Sequence, residues 1–142
     1  MGGMSGMAFI HLSASLALLV LGAMLFFAAV VTPVAFKTLE PEARGRYLAG
    51  LFPVYYRSLT VLSALAALLA ITEPLGQVMI GVTAGFVFSD QVLRPRIEAS
   101  RAGHLAGEPE ATGRFRAHHR ASVYINIAQM AAIIAVIAVG AF

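Results

Sequence analysis

The sequence predicts an all-α fold, an integral membrane four-helix bundle with N and C termini outside and two cytoplasmic loops. Three observations predict it. Of 142 residues, 59% are hydrophobic and 12% are charged, leaving more apolar surface than a soluble domain of this size can bury. The apolar residues gather into four runs separated by short polar stretches, each close to the roughly 20 residues that a membrane-crossing helix needs. Nearly all Lys and Arg residues fall between runs one and two or between runs three and four, the asymmetry that sets orientation in a membrane.

The first helix is expected over about 7–36, because no Lys or Arg precedes Lys37. At about 1.5 Å per residue it exceeds a bilayer core of about 30 Å, so it should tilt or bend near Pro33. A cleaved signal peptide would need a basic leading region and a short apolar stretch before a small-residue site, and neither is present.

The second helix is expected over about 52–72, with Pro53 marking its start, and the third over about 75–94, starting just after Pro74. Proline in a first helical turn forfeits no hydrogen bond that the helix would have made. Thr72, Glu73 and Pro74 then form a tight hairpin. The fourth helix is expected over about 118–141, which leaves cytoplasmic loops at 37–51 and 95–117 within one transmembrane domain, 1–142. Pro41 can begin a short interfacial helix in the first loop, and Pro109 can begin a helical extension of the fourth helix.

Lys37, Arg44 and Arg46 occupy the first loop, and Arg94, Arg96, Arg101, Arg114, Arg116 and Arg120 occupy or border the third. The positive-inside rule therefore places both loops in the cytoplasm. The pI near 9.8 is explained by this topology, so no nucleic-acid partner is expected. Arg outnumbers Lys nine to one in an Ala-rich chain, which suits a bacterial cytoplasmic membrane. Gly81 and Gly85 form a small-xxx-small pair, read either as internal packing or as a dimer contact.

Once the topology is fixed, the strongly polar residues of the membrane region share one depth at the cytoplasmic end. This layer contains Tyr55, Tyr56, Arg57, Asp90, Arg94, His118, His119, Ser122 and Asn126. Arg57 and Asp90 lie about a turn inside their helices, where an unpaired charge is costly, so Asp90 is expected to pair with Arg57 or with Arg94 one turn along. Asn126 lies too deep to reach phosphate, so Ser122 and Asn126 are expected to point toward Asp90 or Arg57 while Val123 and Ile127 turn outward. The layer reads as a polar clasp that fixes helix register, as a pocket for a small molecule, ion or proton, or, particularly for Arg96, Arg114 and Arg116, as side chains snorkelling to lipid phosphate.

The order of landmarks is a first helix ending in Pro33 and Phe36, then LFPVYY, then an acidic helix end running into LRPR, then FRAHHRAS followed by Asn126. This order resembles the transmembrane protein 205-like family, a four-helix domain of unknown function, over nearly the whole chain. The resemblance implies transport or trafficking and carries over no catalytic residues.

Absence of Cys excludes disulfides, thiolate nucleophiles and iron–sulfur clusters. Nothing resembles a nucleophile, base and orienter set or a phosphate loop, so an enzyme is not expected. His11 sits near the outer end of the first helix, similar to the placement in copper-resistance-D-like and protoporphyrinogen-oxidase-like families. With Met4 and Met7 at helical spacing it could offer soft ligands to copper, or alone an axial ligand to haem. The leading expectation needs no cofactor. It is an accessory or interaction subunit of a membrane assembly, whose partners are the lipid bilayer and other membrane subunits or itself. A small-molecule or metal transporter or exporter working as an oligomer is the alternative, and a haem- or copper-binding protein using His11 is the third.

Overall fold

The computed structural model describes the backbone of residues 2–140 and the side chains of residues 5–140. The chain is helical almost throughout. Helix α1 (Gly2–Phe26) passes through a π turn (Phe27–Val31) directly into α2 (Thr32–Thr38). Helix α3 (Pro41–Leu69) follows, then α4 (Pro74–Phe88), a second π turn (Ser89–Leu93), α5 (Arg94–Leu105) and α6 (Pro109–Ala138). Four long rods result.

Both π turns have the same cause. Pro33 and Pro95 each stand six positions after the first residue of their turn, lack an N–H, and would press a ring against the carbonyl four residues back. The backbone widens instead of breaking, and the Thr32 and Arg94 N–H groups reach back five residues to the carbonyls of Phe27 and Ser89. The bend expected near Pro33 therefore takes the form of a wider turn.

Two expected loops are mostly helix. Helix α3 starts at Pro41 and runs through Pro53, so Pro53 does not mark a start. Glu42 in the first turn, its i,i+4 pair with Arg46 at 3.1 Å, and Ala and Leu beyond favour the earlier start. Membrane helices tolerate an interior proline because neighbouring groups resatisfy the freed carbonyl. In the same way α5 and α6 fill the expected loop 95–117, leaving only a turn between them. There Gly107 takes φ +77°, its N–H bonds the His104 carbonyl at 3.1 Å, and the Glu108 N–H bonds the Gly103 carbonyl at 2.9 Å. This paired closure needs a left-handed residue that glycine adopts without strain.

Among the described residues three helices are long and apolar enough to cross a membrane: Ser5–Thr38, Pro41–Leu69 and Pro109–Ala138. The expected span 75–94 is the exception. Its apolar part, α4, has 15 residues and gives way to Ser89, Asp90 and Gln91 in the second π turn. At about 1.5 Å per residue that falls short of a hydrocarbon core of about 30 Å.

Helix α3 packs against α1 and α4, and α6 packs against α4, α5 and α1. The shared core holds Val20 and Met24 of α1, Leu59 and Ala66 of α3, Leu75, Met79 and Phe86 of α4, and Ile133 of α6. Outward-facing Leu18, Leu19, Phe26, Val61, Leu65, Leu68, Ile80 and Ile134 are 47–65% exposed. Such an apolar exterior suits lipid, and the helices are those of a membrane protein.

Lipid tails are as apolar as the side chains, so packing and polar bonds hold these helices together. Ser13 Oγ donates to the Ala66 carbonyl at 2.7 Å and Thr83 Oγ1 to Ser63 Oγ at 2.8 Å. Gln129 Nε2 donates to the Val82 carbonyl at 2.7 Å. Gly85 makes that last crossing possible, since a Cβ there would meet Gln129 Nε2 at 2.6 Å. Gly81 has open space where a Cβ would go, so only one member of the glycine pair serves internal packing.

Candidate functional site

The expected polar layer divides into two groups. The first is centred on Asp90, 97% buried by the second π turn. Arg94 Nε donates to its Oδ1 at 2.8 Å and Gln91 Nε2 donates to Oδ2 at 2.8 Å. Arg57 Nε stands 3.6 Å from Oδ2, and the Arg57 side chain is 70% exposed against 24% for Arg94. Of the two expected partners Arg94 holds the carboxylate, because it lies one turn along the same rod and points inward. Arg57 adds a long, solvent-screened contact. A shallow depression of about 210 Å³ borders Arg57, Thr60, Asp90 and Gln91.

The second group surrounds a cavity of about 500 Å³ between the first π turn, α2, α3, α5 and α6. One wall is aromatic. The Phe27 ring lies 4.4 Å from Tyr55 and 5.4 Å from Phe52, and Phe52 stacks on Tyr56 at 5.6 Å, measured between centroids. Positions 52, 55 and 56 share a helical face, and Phe27, at the start of the π turn, packs its ring against it.

The opposite end is cationic. Arg101 ties α5 to α3 by donating from Nη1 to the Gly45 carbonyl at 2.8 Å, and it meets Glu98 from Nη2 at 2.8 Å. Arg44 lies 4.1 Å above the Phe36 ring, a cation–π contact, and has no carboxylate partner among the described residues. A third wall carries imidazoles. His104 stacks on Phe115 at 4.3 Å, Phe115 lies parallel to His119 at 6.1 Å, and His104 Nδ1 meets Thr112 Oγ1 at 3.2 Å.

Ser122 and Asn126 line this cavity and do not point toward Asp90 or Arg57. The Ser122 hydroxyl bonds its own helix at the His119 carbonyl, 2.7 Å away, a common choice for a helical serine. Asn126 makes no side-chain hydrogen bond among the described residues, and Gln129 provides the crossing to α4 that was expected of it. Val123 and Ile127 are 40% and 51% exposed, as expected, but they also form part of the cavity rim.

Tyr55 and Tyr56 belong to the aromatic wall, and Tyr55 Oη is buried without a hydrogen-bond partner. His118 joins neither group, and its Nδ1 is likewise buried and unpartnered. His11 is exposed, Met7 is 62% exposed, and the Met4 side chain lies outside the described residues. Among the described residues no three of His, Asp and Glu gather as a metal cluster.

Sequence reasoning missed Phe27, Arg44, Phe52, Arg101 and His104 as site residues. Two signals were available: Phe52, Tyr55 and Tyr56 at i, i+3 and i+4, and Phe115 with His119 at i, i+4. Nothing local marks Arg44 or Arg101, which meet only because two presumed loops are helices.

The arrangement can hold a molecule with an apolar body and a polar end. It offers no activated nucleophile, and no carboxylate lines the cavity. No curated protein and no solved structure matches the chain. A family model described as a domain of unknown function (DUF4149) matches residues 15–104, well over half of the chain, from the middle of α1 to the end of α5, and the chain belongs to that family.

Proposed function

We propose that the chain is a non-enzymatic membrane protein that holds an amphipathic small molecule in the cavity between the first π turn, α3, α5 and α6. The cavity itself carries the reading. Its volume of about 500 Å³ falls within the range of small-molecule sites, roughly 300–1,000 Å³. It runs from stacked aromatic rings to two guanidinium groups, with the unbonded amide of Asn126 on its wall. The bland alternative, a polar clasp fixing helix register, fits the Asp90 group and not this one.

Two roles follow from one binding site. An accessory subunit would present the molecule to a larger membrane assembly, and an exporter working as an oligomer would release it on the other side. The resemblance to the transmembrane protein 205-like family favours transport or trafficking. The Lys- and Arg-rich helix ends favour the cytoplasmic side of the membrane for the cationic end of the cavity.

Intact-protein mass spectrometry of the purified full chain in mild detergent tests the binding reading. One retained amphiphile per chain is expected for the wild type. Ala28→Phe, which places a ring in the cavity wall, should lose it while keeping the same helical circular dichroism. Equal retention by the two proteins would sink the proposal.

A further inference from the structure

Resting on that binding reading, we infer that the occupant is a lipid with an anionic headgroup, held with its phosphate at Arg44 and Arg101 and one acyl chain along Phe27, Phe52 and Met130. Charge is the first argument. Arg44 and Arg101 both line the cavity and no Asp or Glu does, so the polar end is uncompensated from within. Arg101 is partly neutralised by Glu98, but Arg44 has only the face of Phe36 beneath it and no carboxylate partner among the described residues. A guanidinium held over a ring by its central carbon, as Arg44 is over Phe36 at 4.1 Å, still has N–H groups to offer, and these suit phosphate oxygens in paired hydrogen bonds.

Access is the second argument. Rim residues Phe36, Leu105, Val123 and Ile127 are 55%, 53%, 40% and 51% exposed, so the cavity opens on the apolar outer surface that faces lipid. A bilayer lipid can enter sideways without leaving the membrane, with its charged end at the level of the Arg-rich helix ends. The first π turn is the third argument. None of its five residues is buried, and the wider backbone leaves Phe27 and Ala28 as cavity wall instead of core. Apolar walls leading away from a cationic end match a headgroup with its chain, and a free phosphate would leave them uncovered.

The test uses delipidated full chain in a neutral detergent, titrated with dioleoyl phosphatidylglycerol or dioleoyl phosphatidylcholine and read by intact-complex mass spectrometry. The chains are identical, so only the headgroup differs. About tenfold tighter retention of phosphatidylglycerol is expected, the scale of one charge-assisted contact. Arg44→Gln should bring the two lipids to near equality, chiefly by weakening phosphatidylglycerol, whose net charge no choline cation offsets. Arg46→Gln, at an exposed position paired with Glu42, should leave the preference unchanged.

Arg101→Gln should act as Arg44→Gln does, but it also removes the tie to Gly45, so Arg44 carries the decision. Equal retention of both lipids by the wild type would overturn the anionic headgroup and leave the binding reading standing. Failure of both lipids to bind would overturn the lipid occupant, while the binding reading is decided separately by whether the purified wild type retains an amphiphile that Ala28→Phe loses. Displacement of phosphatidylglycerol by millimolar inorganic phosphate would overturn the lipid and assign the cationic end to free phosphate.

Discussion

The two π turns share a backbone and differ in everything their side chains do. Each begins six residues before a proline and closes with an N–H reaching back five residues. The first, FAAVV, buries none of its residues and forms part of a cavity wall. The second, SDQVL, buries Ser89, Asp90 and Leu93. Proline decides where a membrane helix widens. The residues inside the widened turn then decide whether that place becomes an opening or a fastening, so a proline-derived irregularity carries no function by itself.

The sharpest way to break this comparison is to remove the fastening. Asp90→Ala leaves Arg94 and Gln91 without their acceptor in a buried place. Breaking a buried pair costs about 3–5 kcal/mol in soluble proteins, and membrane contexts cost less. We expect a loss of about 2 kcal/mol, read as a clear fall in melting temperature against Glu108→Ala, whose side chain is exposed. Equal melting of the two variants would refute the fastening. Asp90→Asn keeps an acceptor for Arg94 and should fall between them.

The glycines of α4 give a second contrast. Gly85→Ala pushes a Cβ to 2.6 Å from Gln129 Nε2 and must displace the bond to the Val82 carbonyl. Overpacking of this kind costs about 1–3 kcal/mol. Gly81→Ala meets open space, and alanine favours a helix by about 1 kcal/mol over glycine, so that variant should melt no lower than the wild type. Thermal unfolding in one detergent measures both. A lower melting point for Gly81→Ala would point to a contact with another chain at that position.

Restoring the missing N–H tests the turns themselves. Pro95→Ala permits an ordinary α turn, which would shift the helical phase of α5 relative to α4 and disturb the buried Ser89, Asp90 and Leu93, so a loss of about 1 kcal/mol is expected beyond any gain in helix propensity. Pro33→Ala disturbs no buried residue of its turn and should leave stability nearly unchanged while altering ligand retention. Hydrogen exchange at Thr32 and Arg94 would report the change of register. If both variants lose the same stability, the contrast between opening and fastening fails.

How much of this was readable from the sequence depends on whether a feature is local. The apolar runs, the starts at Pro41, Pro74 and Pro109, and the i,i+4 relation of Asp90 to Arg94 all lie within a few residues of chain. Pro53 misled because a proline start signal was weighed against a polar segment that looked like a loop, while Glu42 and Arg46 were stabilising helix there. Lys and Arg counts located the cationic end but not the meeting of Arg101 with Gly45, 56 residues apart. The cavity was the least readable feature. It arises where a widened turn, a proline-containing helix and two helical extensions converge, and no periodic pattern in any one of them records the space between.

The smallest expected effect on stability belongs to Asn126, and it separates the two regions most cleanly. Its amide lies on the cavity wall with no hydrogen bond among the described residues, whereas Gln129, one turn along, carries the crossing to α4. Polar contacts between membrane helices are worth about 0.6 kcal/mol on average, and Asn126 makes none, so Asn126→Leu should change stability by less than about 0.5 kcal/mol. Gln129→Leu removes a buried bond and should cost measurably more, since the Val82 carbonyl loses its added donor beside Gly85. Retention of the bound amphiphile should respond in the opposite order, falling with Asn126→Leu while Gln129→Leu leaves it intact in whatever fraction remains folded. Melting curves and intact-protein mass spectra on the same two preparations give both orders. Parallel losses of stability and ligand in the two variants would mean that cavity and core are one unit, and the division of the molecule into an opening and a fastening would have to be abandoned.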